Sequence, residues 1–208
     1  MKIAITGGIG AGKSYVCREL ERHGVQVYDC DAAAKRLMRE SETLQEALRK
    51  LVGEEVYQDH VLQKQVLAKF LLESEEHKQA VNDVVHPAVA RDFEASEYDW
   101  LESAILFESG FVHRTHFDKV VCVIAPQQVR LERVMNRDHI SQDKALAWIE
   151  AQMPQEEMAG QSDYVIVNDG KASIADQVNE VISKIKQKQK INNRNGNNSF
   201  NCRQARPL

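Results

Sequence analysis

The residues with the plainest chemical meaning stand near the start of the chain: Gly7-Gly8-Ile9-Gly10-Ala11-Gly12-Lys13-Ser14 satisfies G-x-x-x-x-G-K-[ST] in full. A loop that wraps phosphates must turn its amides inward, and glycine permits that path without a Cβ clash. A helix starting at the same point adds free N–H groups and a partial positive charge. Lys13 supplies a full charge for the β- and γ-phosphates, and the Ser14 hydroxyl can ligate Mg²⁺. The plain alternative is a glycine-rich turn that happens to precede a lysine. Context disfavours it, because the motif lies between a short apolar run and an amphipathic segment.

A phosphate loop alone does not separate a kinase from a switch GTPase or a motor ATPase. No N-K-x-D base-reading motif occurs in the chain, which weighs against a guanine switch. Asp29 and Asp31 follow the second apolar run. In an open α/β sheet ligands gather at the carboxyl ends of strands, so both carboxylates are expected beside the loop. A carboxylate there can take the proton of an attacking hydroxyl, or hold Mg²⁺ through water. The competing reading is that Asp31 caps the helix that follows. Arg133 and Arg137 are four apart, hence on one helix face, with Arg130 close by. Such guanidiniums can grip phosphate oxygens, as a lid that excludes water. The competing reading is a solvated, salt-bridged face that includes Glu132 and Asp138. Together these residues point to phosphoryl transfer onto a small hydroxyl. A nucleotide-switched binding protein is the rival from another class.

Elements must hold these groups. Residues 2–6 read as a short buried strand, 13–23 as a helix ending at Gly24, and 25–28 as a second strand. A helix over 32–39 follows. Residues 41–93 are helical in pattern with no confident strand, and His86-Pro87 is expected to break that stretch. Strand signals return at 100–107 and 119–124. Pro126 opens a helix to about Arg137, and another starts after Ser141 with Ala145, Ile149 and Met153 on one face. Residues 164–167 read as the last strand, and Ser173 with Asp176 caps the final helix. Strands separated by helices imply a parallel sheet covered on both faces. The expected division is a kinase core of 1–39 and 94–190, with a lid at about 126–153. A helical acceptor-binding insert at 40–93 and a polar, disordered tail at 191–208 complete it.

The chain of 208 residues suits one α/β domain with an insertion, not two full domains. A net charge of −4 gives no general pull toward nucleic acid or anionic membrane, though a local basic pocket is enough for a phosphate. No run approaches the roughly 18 apolar residues of a membrane span. The four cysteines are scattered without a C-x-x-C pair. A cytoplasmic, reducing location fits these features, with a monomer or small homo-oligomer as the form.

The phosphate loop, Val27-Tyr28-Asp29-Cys30-Asp31, His86-Pro87 and Leu106-Phe107-Glu108 occur in a characteristic order. Arg133 with Arg137-Asp138, Ala151-Gln152-Met153 and Asn168-Asp169-Gly170 continue it. In order and spacing the set resembles the dephospho-coenzyme A kinases over about residues 1–187. The resemblance implies a P-loop NTPase fold of the nucleotide-kinase type and ATP–Mg²⁺ as phosphate donor. It also implies dephospho-CoA as the small-molecule acceptor, phosphorylated on its ribose 3′-hydroxyl in the last step of CoA synthesis. Residue by residue, Asp31 matches the general base, and Lys13 and Arg137 complete the catalytic set. Gly8, Ile9, Gly10, Ala11, Gly12, Lys13, Ser14 and the adjoining Tyr15 match the ATP site, with Arg133 beside them. Asn168 and Gly170 fall at the adenine, and Ser14 at the metal. Asp29, Lys35, His86 and Glu108 fall on the acceptor side. His86, before a proline, reads first as a structural hydrogen-bonding group and second as an acceptor contact, and Glu108 as a metal or substrate contact or the partner of a buried arginine. Departures from the usual pattern are Tyr15, Lys35 and Lys64 (arginine being common at the last two), Ala104-Ile105 and Met158. A kinase for another acceptor, such as a nucleoside monophosphate or a shikimate-type hydroxyl, is the nearest rival.

Overall fold

The structure is a computed structural model that describes the backbone of residues 1–201 and the side chains of residues 1–188. In chain order the elements are β1 Ile3–Thr6, α1 Lys13–Arg22, β2 Val27–Asp29, α2 Cys30–Glu40 and α3 Glu42–Val52. Then come the short strands β3 Tyr57–Gln58 and β4 Val61–Leu62, α4 Lys64–Glu73, α5 Glu75–Ala95 and β5 Trp100–Glu102. The chain continues through β6 Lys119–Ile124, α6 Gln127–Asp138, α7 Gln142–Glu150, α8 Gln155–Gly160, β7 Tyr164–Val167 and α9 Ile174–Asn201.

Five strands form one parallel sheet in the order β2-β5-β1-β6-β7. Every residue of β1 is buried, as expected for a central strand covered on both faces. Side-chain alternation divides the core. Ile3, Ile5, Trp100 and Val121 pack with Val16 and Leu20 of α1 and with Val178 and Ile182 of α9. Ala4, Tyr28 and Leu101 face the other way, onto Leu44 and Leu48 of α3 and Val85, Val89 and Phe93 of α5. The helical block of 40–93 therefore doubles as the cover of one sheet face. A third, small cluster joins α6 to α7 through Leu131, Val134, Ala145 and Ile149, with Ile9 of the phosphate loop against it.

Four local differences from the sequence expectations have physical causes. Pro87 does not break α5, which runs unbroken from Glu75 to Ala95. Buried Val81 and Val85 on one side of the proline, and Val89, Ala90 and Phe93 on the other, outweigh the roughly 3 kcal/mol that an interior proline costs. The third sheet strand stops at Glu102 because β1, its neighbour, ends in the phosphate loop; Leu106 then turns into the α3–α5 cluster. Residues 57–62 form a hairpin whose turn, Asp59-His60, has φ of 48° and 63°. Without the usual Asn-Gly or Asp-Gly this turn carries no sequence signal. The helix after Ser141 ends at Glu150, and Met153 is outside it, since Pro154 disfavours helical geometry before it.

The backbone over 191–201, expected to lack order, continues α9 as helix; residues 202–208 of that tail lie outside the described residues. Extending a helix already anchored by Ile174, Val178, Val181, Ile182 and Ile185 needs no new nucleus, so polar residues can follow it.

Candidate active site

Three parallel strand ends meet at one edge. Asp29 ends β2 in register with Glu102 at the end of β5, and Glu102 in turn pairs with Ile5, one residue before β1 closes. Adjacent strands lie about 4.8 Å apart, so both carboxylates stand beside the loop that follows β1. This edge opens into a cleft of about 920 Å³ lined by Lys13, Ser14, Asp29, Asp31, Glu102 and Arg137, among others.

The loop keeps its shape because its carbonyls are held from outside. Arg130 Nε donates to Ile9 O (2.9 Å), Arg133 Nη1 to Gly10 O (3.3 Å), and Asn168 Nδ2 to Ala11 O (2.9 Å). Carbonyls held in this way leave the inner side of the turn to amides, which is the arrangement an anion needs, although the Ile9 and Ala11 amides are bonded to Gln152 Oε1 and Gly8 O. Gly12 caps α1 at φ 93°, and a Cβ there would lie 2.1 Å from Asn168 Nδ2, so only glycine fits. Lys13 Nζ donates to Gly7 O (2.9 Å) and lies 3.6 Å from Glu102 Oε1. Burial raises the Glu102 carboxyl above the usual carboxylate range; Asp29 and Asp31 add to this and Lys13 opposes it.

The two aspartates divide their labour differently from the capping reading. Asp29 is the N-cap: its Oδ1 accepts from Ala32 N–H at 2.9 Å, and α2 starts at Cys30. Asp31 therefore lies inside the first turn, exposed and on the cleft wall, with no capping duty. The three arginines also differ from one another. Arg130 is 4% exposed, tucked beneath the loop, and burial disfavours its charge. Arg133 turns inward to the loop and to Asn168 Oδ1 (3.2 Å). Only Arg137 shows part of the salt-bridged surface reading: it pairs with Asp138 at 2.7 Å while still lining the cleft.

Of the other expected site residues, Ile9, Gly10, Tyr15, Asn168 and Gly170 line the cleft. The Asn168 amide is committed to Ala11 and Arg133 on the loop. Gly8 and Ala11 belong to the loop turn, where Ala11 N–H donates to Gly8 O (3.1 Å). Lys35 lines a second, apolar pocket of about 620 Å³, together with Met38, Leu62, Lys64, Leu67 and Leu71. Asp31 and Lys35 are four apart on α2, so that helix borders both cavities. His86 and Glu108 border neither. His86 sits beside Arg114, and burial lowers its pKa, with the Arg114 charge adding to the effect. Glu108 Oε1 accepts from Met153 N–H at 2.9 Å, tying the turn after β5 to the end of α7.

Two groups have no role in the sequence reading: Glu102, and Gln152, which stands there only within Ala151-Gln152-Met153. Glu102 has no signal of its own, because a strand expected to reach 107 hides where its carboxyl end falls. Gln152 accepts from Ile9 N–H at 2.6 Å. Its signal was Pro154, which ends the helix and frees residues 151–153 to reach the loop. Met158, where lysine is common, is completely buried as a core residue.

The cleft wall offers oxygen ligands in Ser14, Asp29, Asp31 and Glu102, beside the cations Lys13, Arg18, Arg133 and Arg137. Among the described residues no cluster of three or more His, Cys, Asp or Glu forms a metal cage. Such a wall fits Mg²⁺ carried in on a polyphosphate, which keeps most of its waters and takes one or two protein oxygens.

Comparison with known proteins agrees with this geometry. The dephospho-CoA kinase family matches residues 1–174. A dephospho-CoA kinase of Bacteroides fragilis is 40% identical over 195 residues, covering 90% of this chain and 94% of its own. A crystal structure from Thermus thermophilus is 34% identical with a TM-score of 0.73, over 88% of this chain and 96% of that one. The shikimate kinase of Acinetobacter baumannii shares the fold alone, at 16% identity and a TM-score of 0.52 over 90% of this chain and 93% of its own. The fold is a P-loop kinase fold, and the chain belongs to the dephospho-CoA kinase family.

Proposed function

We propose that this chain transfers the γ-phosphate of ATP to the ribose 3′-hydroxyl of dephospho-CoA, giving CoA and ADP, the last step of CoA biosynthesis. The observation that carries this is the division between the aspartates: Asp29 caps α2, which leaves the Asp31 carboxylate on the same cleft wall as the phosphate loop. Asp31 accepts the hydroxyl proton as the oxygen attacks the γ-phosphorus, and the bond to the β–γ bridging oxygen breaks. Inward amides of the loop and Lys13 hold the phosphates. Arg137, on α6, balances charge on the moving group, so α6 and α7, within about residues 126–153, serve as the lid. Ser14, aided by an acidic neighbour, would hold Mg²⁺, whose part is to neutralise β- and γ-oxygens. Positioning supplies most of the acceleration.

The acceptor approaches along α2. Its adenosine end reaches Asp31, and its flexible arm enters the apolar pocket, where Lys35 and Lys64 offer charge to its phosphates. Residues 40–93 thus act as the acceptor-binding part of the molecule. Among the described residues, no helix is long and apolar enough to cross a membrane. We assign the enzyme to the cytoplasm as a monomer or small homo-oligomer. Its described cysteines are free, with the Cys17 thiol pushed up to about 12 and Cys122 to about 11 by burial, which suits inert core thiols.

The test is ADP release from ATP–Mg²⁺ with a panel of acceptors: dephospho-CoA, nucleoside monophosphates, shikimate and water. Release with dephospho-CoA alone is expected. Equal release without any acceptor would contradict the kinase reading and favour a nucleotide switch.

A further inference from the structure

The loop carbonyls are clamped by Arg130, Arg133 and Asn168, yet one side chain does the reverse. Gln152 Oε1 takes a loop amide, that of Ile9, at 2.6 Å. Gln152 lies on the short link between α7 and α8, next to Met153, whose own N–H is held by Glu108. A donor without a partner waits beside it. Arg130 Nη2 is buried and makes no hydrogen bond, although Arg130 Nε is satisfied by Ile9 O. A Cβ built on Gly8 would lie 2.3 Å from Arg130 Nη2 and 3.3 Å from Gln152 Oε1, so the two groups flank the same glycine.

We propose that Gln152 is a positioning residue that latches the lid to the phosphate loop through the Ile9 amide, and passes to Arg130 Nη2 when a polyphosphate takes that amide. The present bonding gives the reason. In the structure Gln152 Oε1 is aimed at Ile9 N–H, and Arg130 Nη2, on the other flank of Gly8, makes no hydrogen bond even though the amide oxygen keeps a second lone pair. Leaving a buried charged donor without an acceptor is unfavourable, but so is stripping the amide. A phosphate oxygen at Ile9 supplies the missing acceptor, and both donors are then satisfied. The movement of Gln152 would be transmitted to the α7–α8 link, so phosphate arrival and lid position become one event. This inference rests on the loop being the nucleotide site, and it adds a coupling residue that the phosphate-loop pattern does not contain.

The test is a double-mutant cycle on ATP–Mg²⁺ affinity, measured by calorimetry without acceptor, using Arg130→Lys and Gln152→Met. A lysine keeps the charge but cannot serve Ile9 O and Gln152 together. Arg130→Lys alone is expected to weaken ATP about three- to tenfold, the scale of one hydrogen bond. In the Gln152→Met background the same change should alter affinity by less than about twofold. Additive losses would mean that the two side chains merely prop the loop independently, and would overturn the latch. Should a variant fail to fold, a crystal structure of the wild type with a non-hydrolysable ATP analogue decides. Gln152 within hydrogen-bond distance of Arg130 Nη2 supports the latch, and Gln152 still on Ile9 N–H overturns it. Wild-type protein that binds no ATP would sink the nucleotide reading itself, and the latch with it.

Discussion

The two cavities that meet along α2 are built by opposite means. Around the larger cleft, backbone groups and short polar bonds fix each atom: three loop carbonyls are held from outside, and two strand ends deliver carboxylates in register. Around the apolar pocket, the walls are side chains of α2, the β3–β4 hairpin and α4, with Lys35, Arg39 and Lys64 as cations at its lining. A charge-transfer step needs fixed dipoles, because atoms that reorganise during reaction waste the field they provide. Holding a flexible arm needs only shape and apolar area. The difference predicts that changes in the cleft act on turnover or ATP, and changes in the pocket act on the acceptor alone.

The largest break in that contrast is Lys13→Ala, which removes the one ammonium of the loop. Turnover should fall by about a hundredfold to a thousandfold in a coupled ADP assay. A change of a few-fold would mean that the loop holds phosphate through its amides alone. Placing a charge in the apolar pocket with Leu71→Asp should raise the KM for dephospho-CoA about tenfold or more while leaving the KM for ATP unchanged. Equal effects on both substrates would remove the distinction between the cavities. Glu102→Gln sharpens the comparison from the cleft side. The carboxylate lies 3.6 Å from Lys13 Nζ and so competes with an incoming polyanion for that ammonium. Its amide should bind ATP about three- to tenfold tighter and turn over more slowly, with calorimetry and kinetics as the readouts. Weaker binding would show that Glu102 helps to hold the donor.

The smallest expected effect lies away from both cavities. Burial and Arg114 depress the pKa of His86 in the fold, so between that value and the usual one near 6.5 the unfolded chain binds more protons. The stability this neutral histidine contributes is present above the unfolded pKa and is lost as pH falls through the folded one. Urea midpoints should therefore drop on acidification more steeply in wild type than in His86→Asn. Parallel slopes would place His86 outside this linkage.

How much of this was legible in the sequence depends on where the information is stored. The phosphate loop is local: glycine spacing and one lysine specify it without reference to anything else. The strands at 119–124 and 164–167 and the Ser173 cap are equally local, and the structure reproduces them. Asp29 and Asp31 were visible as a pair, yet which one caps α2 depends on a helix starting at Cys30, two residues earlier than its apolar pattern suggests. Glu102 was invisible because its meaning is its height in the sheet, and that is set by where its neighbour β1 ends. Pro87 misleads for the same reason: local geometry argues for a break, and the burial of α5 overrides it. The apolar pocket was read only as single lysines, since α2, β4 and α4 meet there through packing that no periodicity shows.

The most direct single measurement is Asp31→Asn, an exchange of nearly equal shape that removes the proton acceptor. Single-turnover phosphorylation of dephospho-CoA should slow by about a hundredfold to ten-thousandfold, while calorimetric ATP affinity stays within about twofold of wild type. An amide variant that transfers phosphate at the wild-type rate would show that the hydroxyl proton leaves by another path, and that this carboxylate is not the base.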